Sequence, residues 1–146
     1  MIEDSLSFGL LKLMKATRST IAPVLAELGL HPGQELLLSQ LWRHDALTQA
    51  ELVERLRVEP PTVTKTVRRL EAAGFVRREA GGGRGRRVLL TDAGRALQAP
   101  VEQAWHDADR RLLDGLAARD EAAARAALDR LRDHAISRLH NDELAG

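Results

Sequence analysis

One stretch, LTQAELVERLRVEPPTVTKTVRRLEAAGFVRREAGGGRGRRVLLTDAG at residues 47–94, changes its hydrophobic period along its length and leaves few folds open. Thr48 followed by Glu51 forms a capping box ahead of Leu52, Val53 and Leu56, which marks a short helix. Pro60 and Pro61 fit only the first turn of the next helix, because a proline farther in would forfeit a backbone hydrogen bond. That helix runs to about Ala73, where Gly74 stops it. Two β-prone runs, 76–79 and 87–90, then flank a glycine-rich tip at 80–86. Helix, turn, helix and basic hairpin in that order suit a module that lays one helix in a DNA major groove and reaches a neighbouring groove with the hairpin.

Long helices flank this module. Leu6, Leu10, Leu13, Thr17, Ile21, Val24 and Leu28 recur at three- and four-residue steps and predict a first helix over about 5–28, bent at Pro23 and ended by Gly29. Pro32 is expected to open a second helix, with Leu36, Leu37, Gln40 and Leu41 carrying its buried side to about Arg43. After the hairpin, Thr91 and Asp92 cap a long helix whose apolar positions run from Leu97 to Leu116, with a kink expected at Pro100. Asp120 and Glu121 open the last helix, striped by Ala124, Leu128, Leu131, Ala135 and Leu139. Helices of this length carry more apolar surface than a small central module can cover, so they are expected to pair with a second copy of the chain.

Composition narrows the class. With 146 residues, 44% of them apolar, the chain is long enough to bury a core. It contains no cysteine, which excludes disulfides, thiolate zinc sites and thiol redox sensing. No apolar run approaches a membrane span, and residues 1–20 are interrupted by Glu3, Asp4, Lys12, Lys15 and Arg18, unlike a signal peptide, so a soluble cytoplasmic protein with no membrane partner is expected. The net charge of +1 hides an uneven distribution. Residues 48–91 hold ten Lys or Arg against five Glu, whereas 92–146 hold eight Arg against eleven acids. A basic middle between acidic flanks is what a duplex-binding module with a separate assembly region requires.

Side chains for such a contact follow from the helical period. Val63, Val67 and Leu70 share the buried side of the fourth helix, which at about 100° per residue leaves Pro61, Thr62, Thr64, Lys65, Arg68 and Arg69 on the outward arc. Thr62, Thr64 and Lys65 lie in the half that approaches base edges, where hydroxyls and an ammonium donate to purine acceptors or meet thymine methyls. Arg68 and Arg69, a turn later, suit phosphates. A solvated basic helix face is the plain alternative, and the capped helix before it and basic hairpin after it count against that. Gln49 is a candidate phosphate donor beside the positive end of the third helix, with simple solvation the alternative. Arg84 at the hairpin tip has no bulky neighbour and suits a narrow minor groove, although three successive glycines make the tip costly to order without DNA. Arg86 and Arg87 alternate to opposite faces, so one is free for a phosphate while the other meets the body of the protein.

Taken together, GLHPGQELLLSQLW, LTQAELVERLRVEPPTVTKTVRRLEAAGFVRR and VLLTDAGRAL resemble the MarR family of bacterial transcription regulators across nearly the whole chain. The resemblance implies a mainly α (α+β) fold: a winged helix-turn-helix over 31–91 with a two-stranded wing, and dimerisation helices at 1–30 and 92–146. It implies a homodimer on a roughly palindromic double-stranded DNA operator, usually as a repressor released by a small-molecule effector. The family's wing commonly carries an Asp two residues before the arginine matching Arg84, where this chain has Gly82. Family members often hold aromatic acids in a cleft beside the dimerisation helices, which makes Trp42 and Trp105 candidate ligand contacts, with core packing the favoured alternative, and makes Arg18 or Arg43 a candidate carboxylate partner. The five histidines lack close metal-ligand spacing, and no phosphate loop or convergent nucleophile and base is recognisable, so neither metal nor cofactor nor enzymatic activity is expected. The runner-up function is a winged-helix module that assembles with another protein and binds no specific DNA.

Overall fold

A computed structural model of the chain describes the backbone of residues 1–81 and 85–145 and the side chains through residue 138. It divides into two compact units, Met1–Ala108 and Asp109–Gly146. In the first, the Ser5 hydroxyl accepts the Phe8 N–H at 3.2 Å and starts helix α1, Leu6–Glu27. Gly29, at φ +77°, turns the chain out of α1 while the Leu30 N–H closes on the Leu25 carbonyl at 2.8 Å. Ile21 and Leu25 are buried, whereas Leu6, Leu10, Leu11 and Met14 are exposed, so the first half of α1 presents an apolar face that this unit leaves uncovered.

Helix α2, Gln34–Arg43, begins two residues later than Pro32 suggests. The start is set by Gly33, whose left-handed backbone at φ +99° glycine adopts without penalty, and by two side chains that satisfy the turn. Gln34 Oε1 accepts the His31 N–H at 2.9 Å, and Glu35 Oε2 accepts the Gly33 N–H at 2.6 Å. The buried face is Leu37, Leu38 and Leu41, with Leu36 turned outward and Gln40 half-buried. Three consecutive leucines carry no period of their own, and packing against the core decides which of them are buried.

Helix α3 spans Gln49–Leu56 and α4 spans Pro60–Ala72. The three strands β1 (Ala46–Thr48), β2 (Val76–Gly81) and β3 (Gly85–Leu90) form an antiparallel sheet in the order β1-β3-β2. Strand β1, paired through Leu47 and Val88, lies outside the expected two-stranded hairpin, because three residues are too few to show alternation. The hairpin is also longer than expected. Pairing continues to Gly81 and Gly85. The core lies between α2, α3, α4 and the sheet, where Leu38, Leu41, Leu52, Val67, Leu70 and Val88 lose all contact with solvent.

The end of the wing is locked to the end of α4. Thr91 donates its hydroxyl to the Gly74 carbonyl at 2.6 Å and accepts the Gly94 N–H at 3.1 Å, and its backbone N–H reaches the Phe75 carbonyl at 3.0 Å. Trp42 Nε1–H closes the cluster on the Gly94 carbonyl at 3.0 Å. Gly94 is packed so closely that a Cβ there would lie 2.0 Å from the Phe75 oxygen.

The single long helix expected after Thr91 is two: α5 (Asp92–Ala96) and α6 (Gln98–Leu113), separated at Leu97. Pro100 has no N–H to give the Ala96 carbonyl, which ends α5 there. In the second unit, Gly115 at φ +83° turns the chain into α7, Ala118–Ala145, whose Leu128, Leu131 and Ile136 are exposed. Gly94→Ala is expected to lower unfolding free energy by about 2–3 kcal/mol, since the neighbour that must yield is backbone. Urea denaturation measures it, and a loss under about 0.5 kcal/mol would contradict the close approach.

Candidate nucleic-acid interface

The two helices that frame the site are fixed before any ligand arrives. Thr48 Oγ1 accepts the Glu51 N–H at 3.2 Å, and Glu51 Oε2 accepts the Thr48 N–H at 2.7 Å, completing the capping box expected for α3. Arg57 ends α3 in the left-handed region at φ +50°, with its N–H on the Val53 carbonyl at 2.9 Å, so the chain reaches α4 across only Arg57, Val58 and Glu59. Thr64 shares its hydroxyl between Gln49 Oε1, at 3.2 Å, and the Pro60 carbonyl, at 3.1 Å. The amide of Gln49 thus ties the start of α3 to α4, a link between residues fifteen apart that periodicity does not reveal.

Burial of Val63, Val67 and Leu70 sets the roll of α4. Pro61, Thr62, Lys65, Arg68 and Arg69 consequently face solvent, while Thr64 is half-buried. Lys65, Arg68 and Arg69 form no ion pair among the described residues, and neither do Arg86 and Arg87, both exposed on β3. Arg86 pairs in register with Ala80, and Arg87 with Glu79 on one side and Thr48 on the other. Gly82 and Arg84 lie outside the described residues.

Two carboxylates near this surface, Glu71 and Glu79, are engaged with arginines. Arg78 Nε donates to Glu71 Oε2 at 3.1 Å, bracing β2 against the last turn of α4, and Arg77 pairs with Glu79 along β2. Arg78 holds the Glu71 carboxyl below the usual glutamate range, with the field of Arg86 adding to it. Glu51 is also held low, chiefly by the Thr48 backbone N–H and then its hydroxyl, with Arg87 and Arg55 contributing. Neither Glu71 nor its bracing role was evident from spacing, since the pair joins a helix to a strand.

A cavity of about 450 Å³ opens beside α4 and shares Lys65 and Arg69 with this surface. Arg18 of α1, His31, Lys65 and Arg69 are among its polar lining, and Leu36, Leu37, Leu56, Val58 and Val63 among its apolar walls. Trp42 packs against the core and Trp105 is 38% exposed on α6; neither lines this cavity.

Residues 30–87 match the model of the MarR family. The chain is 34% identical over 138 residues to the HTH-type transcriptional regulator TtmR of Methylorubrum extorquens, covering 86% of this chain and 71% of the relative. It is 31% identical over 128 residues to the HTH-type transcriptional repressor Rv2887 of Mycobacterium tuberculosis, covering 86% and 92%. The chain belongs to the MarR family. Solved MarR folds superimpose closely: a MarR transcriptional regulator of Methanosarcina mazei at a TM-score of 0.83 with 20% identity over 90% of each chain, and Rv2887 in complex with DNA at 0.72 with 28% identity over 87% and 97%. The MarR fold is therefore present with its winged helix-turn-helix, as the strand order and the α3–α4 pair require.

Acid should loosen this frame. Both glutamates have depressed folded values, so the stability they contribute is complete above the ordinary carboxylate range and is lost as pH falls through the folded values. The unfolding midpoint is expected to be flat near neutrality and to drop below about pH 4, with a shallower drop in Glu51→Gln and Glu71→Gln. Denaturation across a pH series checks this; an acid limb of unchanged slope in both variants would contradict it.

Proposed function

We propose that this MarR-family chain is a sequence-specific transcription regulator that binds a palindromic operator as a homodimer, with residues 31–91 on DNA and the helices of 1–30 and 92–146 joining two copies. The observation that carries the proposal is the exposed cationic face of α4, Lys65, Arg68 and Arg69, with Arg86 and Arg87 exposed on opposite sides of β3; none of the five forms an ion pair among the described residues. Such a face neutralises phosphates, and the half of α4 nearest its start reads base edges. Thr62 and Lys65 are the proposed base contacts; Arg68, Arg69, Arg86 and the Gln49 amide are proposed for phosphates, and Arg84 for the minor groove. The relative Rv2887 is named a repressor and has been solved with DNA, which favours the same role here. Regulators of this kind act in the cytoplasm without catalysis, and no helix among the described residues is long and apolar enough to cross a membrane.

The cavity bounded by Arg18, Lys65 and Arg69 is the proposed effector site. Its apolar walls and cationic rim suit a small aromatic acid. An effector acts only through its different affinity for the DNA-competent and incompetent states, and a site walled by α1 and α4 is placed to sense the tilt of α4. Of the sequence candidates, Trp42 is assigned to packing through its bond to Gly94, and Trp105 is given no part in this site.

One titration series tests both halves. Against a duplex selected from a random pool and a scrambled duplex, Lys65→Ala should weaken the selected duplex about fivefold or more and narrow the ratio between the two. Arg68→Ala should weaken both alike and lower the salt slope by about one, and Arg84→Ala should weaken both. Benzoate or salicylate should release the wild type and fail to release Arg18→Ala. Weak retardation, blind to sequence and unchanged in all three DNA-face variants, would instead indicate a protein-assembly module.

A further inference from the structure

The entrance to α4 is chemically unlike the rest of the helix. Pro60 and Pro61 occupy its first two positions, so neither offers an N–H, and the next two N–H groups, of Thr62 and Val63, both turn to the Glu59 carbonyl at 2.9 and 3.4 Å. No backbone donor between Pro60 and Val63 is left for a phosphate. The preceding side chain is the carboxylate of Glu59, which makes no capping hydrogen bond and repels phosphate. Positive side chains begin only at Lys65, more than a turn later, and continue at Arg68 and Arg69. The helix is therefore graded: a first turn that presents two exposed apolar rings, then turns that present cations.

Both rings border one shallow, open depression of about 520 Å³ together with Thr64, Lys65, Arg68 and Arg69. A groove wall held against that surface by the cations brings base edges to the rings. Among major-groove base edges, the one apolar feature is the thymine C5-methyl. We propose that the Pro60–Pro61 pair is specificity-determining, one of its rings reading a thymine methyl group in each half-site. The proposal rests on the DNA-binding function argued above and adds what the sequence preference is made of. The fixed ring torsions matter, since a rigid apolar contact loses little entropy on docking.

The experiment separates this proposal from the one beneath it. The duplex selected from a random pool is resynthesised with deoxyuridine for each thymidine in turn, which removes the methyl and keeps base pairing. At one position per half-site the change should weaken wild-type binding about fourfold, the effect of one buried methyl, and about fifteenfold when both half-sites are changed. Replacing cytidine by 5-methylcytidine at non-contacted positions should do nothing. In Pro60→Ser or Pro61→Ser, whichever ring makes the contact, the penalty should fall below twofold, while circular dichroism and the salt slope stay as in the wild type. Equal affinity for thymine and uracil duplexes overturns the proposal and leaves DNA binding standing, as does a uracil penalty unchanged in both serine variants. A chain that selects no duplex at all contradicts the regulator function and this proposal with it.

Discussion

The cationic surface of α4 follows from the roll of that helix. Val63, Val67 and Leu70 are each essentially solvent-free, and burying three such side chains is worth roughly 1.5–3 kcal/mol apiece. Turning α4 by one residue would expose that stripe and drive Lys65 or Arg68 toward an apolar core, where an unpaired charge is prohibitive. The cations face outward because the valines face inward, so hydrophobic burial and not charge sets the geometry of the interface.

The rest of the fold holds the wing in step with that helix. The Thr91 hydroxyl on Gly74, the close packing of Gly94 on Phe75 and the Trp42 bond to Gly94 join the end of α4, the end of β3 and α2 in one cluster. Farther along, the Arg78–Glu71 pair braces β2 against the last turn of α4. This pair is partly exposed and contributes little by itself to stability. Its consequence is directional: it occupies the one acid of α4 and leaves Arg86 outside that pairing.

Much of this was legible in the chain. The capping box of Thr48 and Glu51, the paired prolines and Gly74 located α3 and α4 because each signal is local and backbone-based. The outward arc of α4 followed from its three buried positions, although Thr64 turned partly inward to Gln49. What the sequence concealed depends on contacts across the fold or on chemistry without a period. Leu36, Leu37 and Leu38 are interchangeable to a helical wheel, and Gly33 rather than Pro32 proved to start α2. A three-residue β1 exists only because β3 lies beside it. Likewise, the cavity beside Arg18 gathers residues from four separate segments, and no spacing rule links Arg18 to Lys65.

If two α4 faces engage one duplex, their separation is imposed by the DNA as much as by the protein. The most direct measurement is a footprint on a selected duplex, reading guanine N7 in the major groove and sugar cleavage along both strands. Two symmetric patches of major-groove protection about one helical turn, roughly 10 base pairs, apart are expected, with minor-groove protection on their outer flanks. Protection confined to one patch, or spread evenly without regard to sequence, would contradict this arrangement.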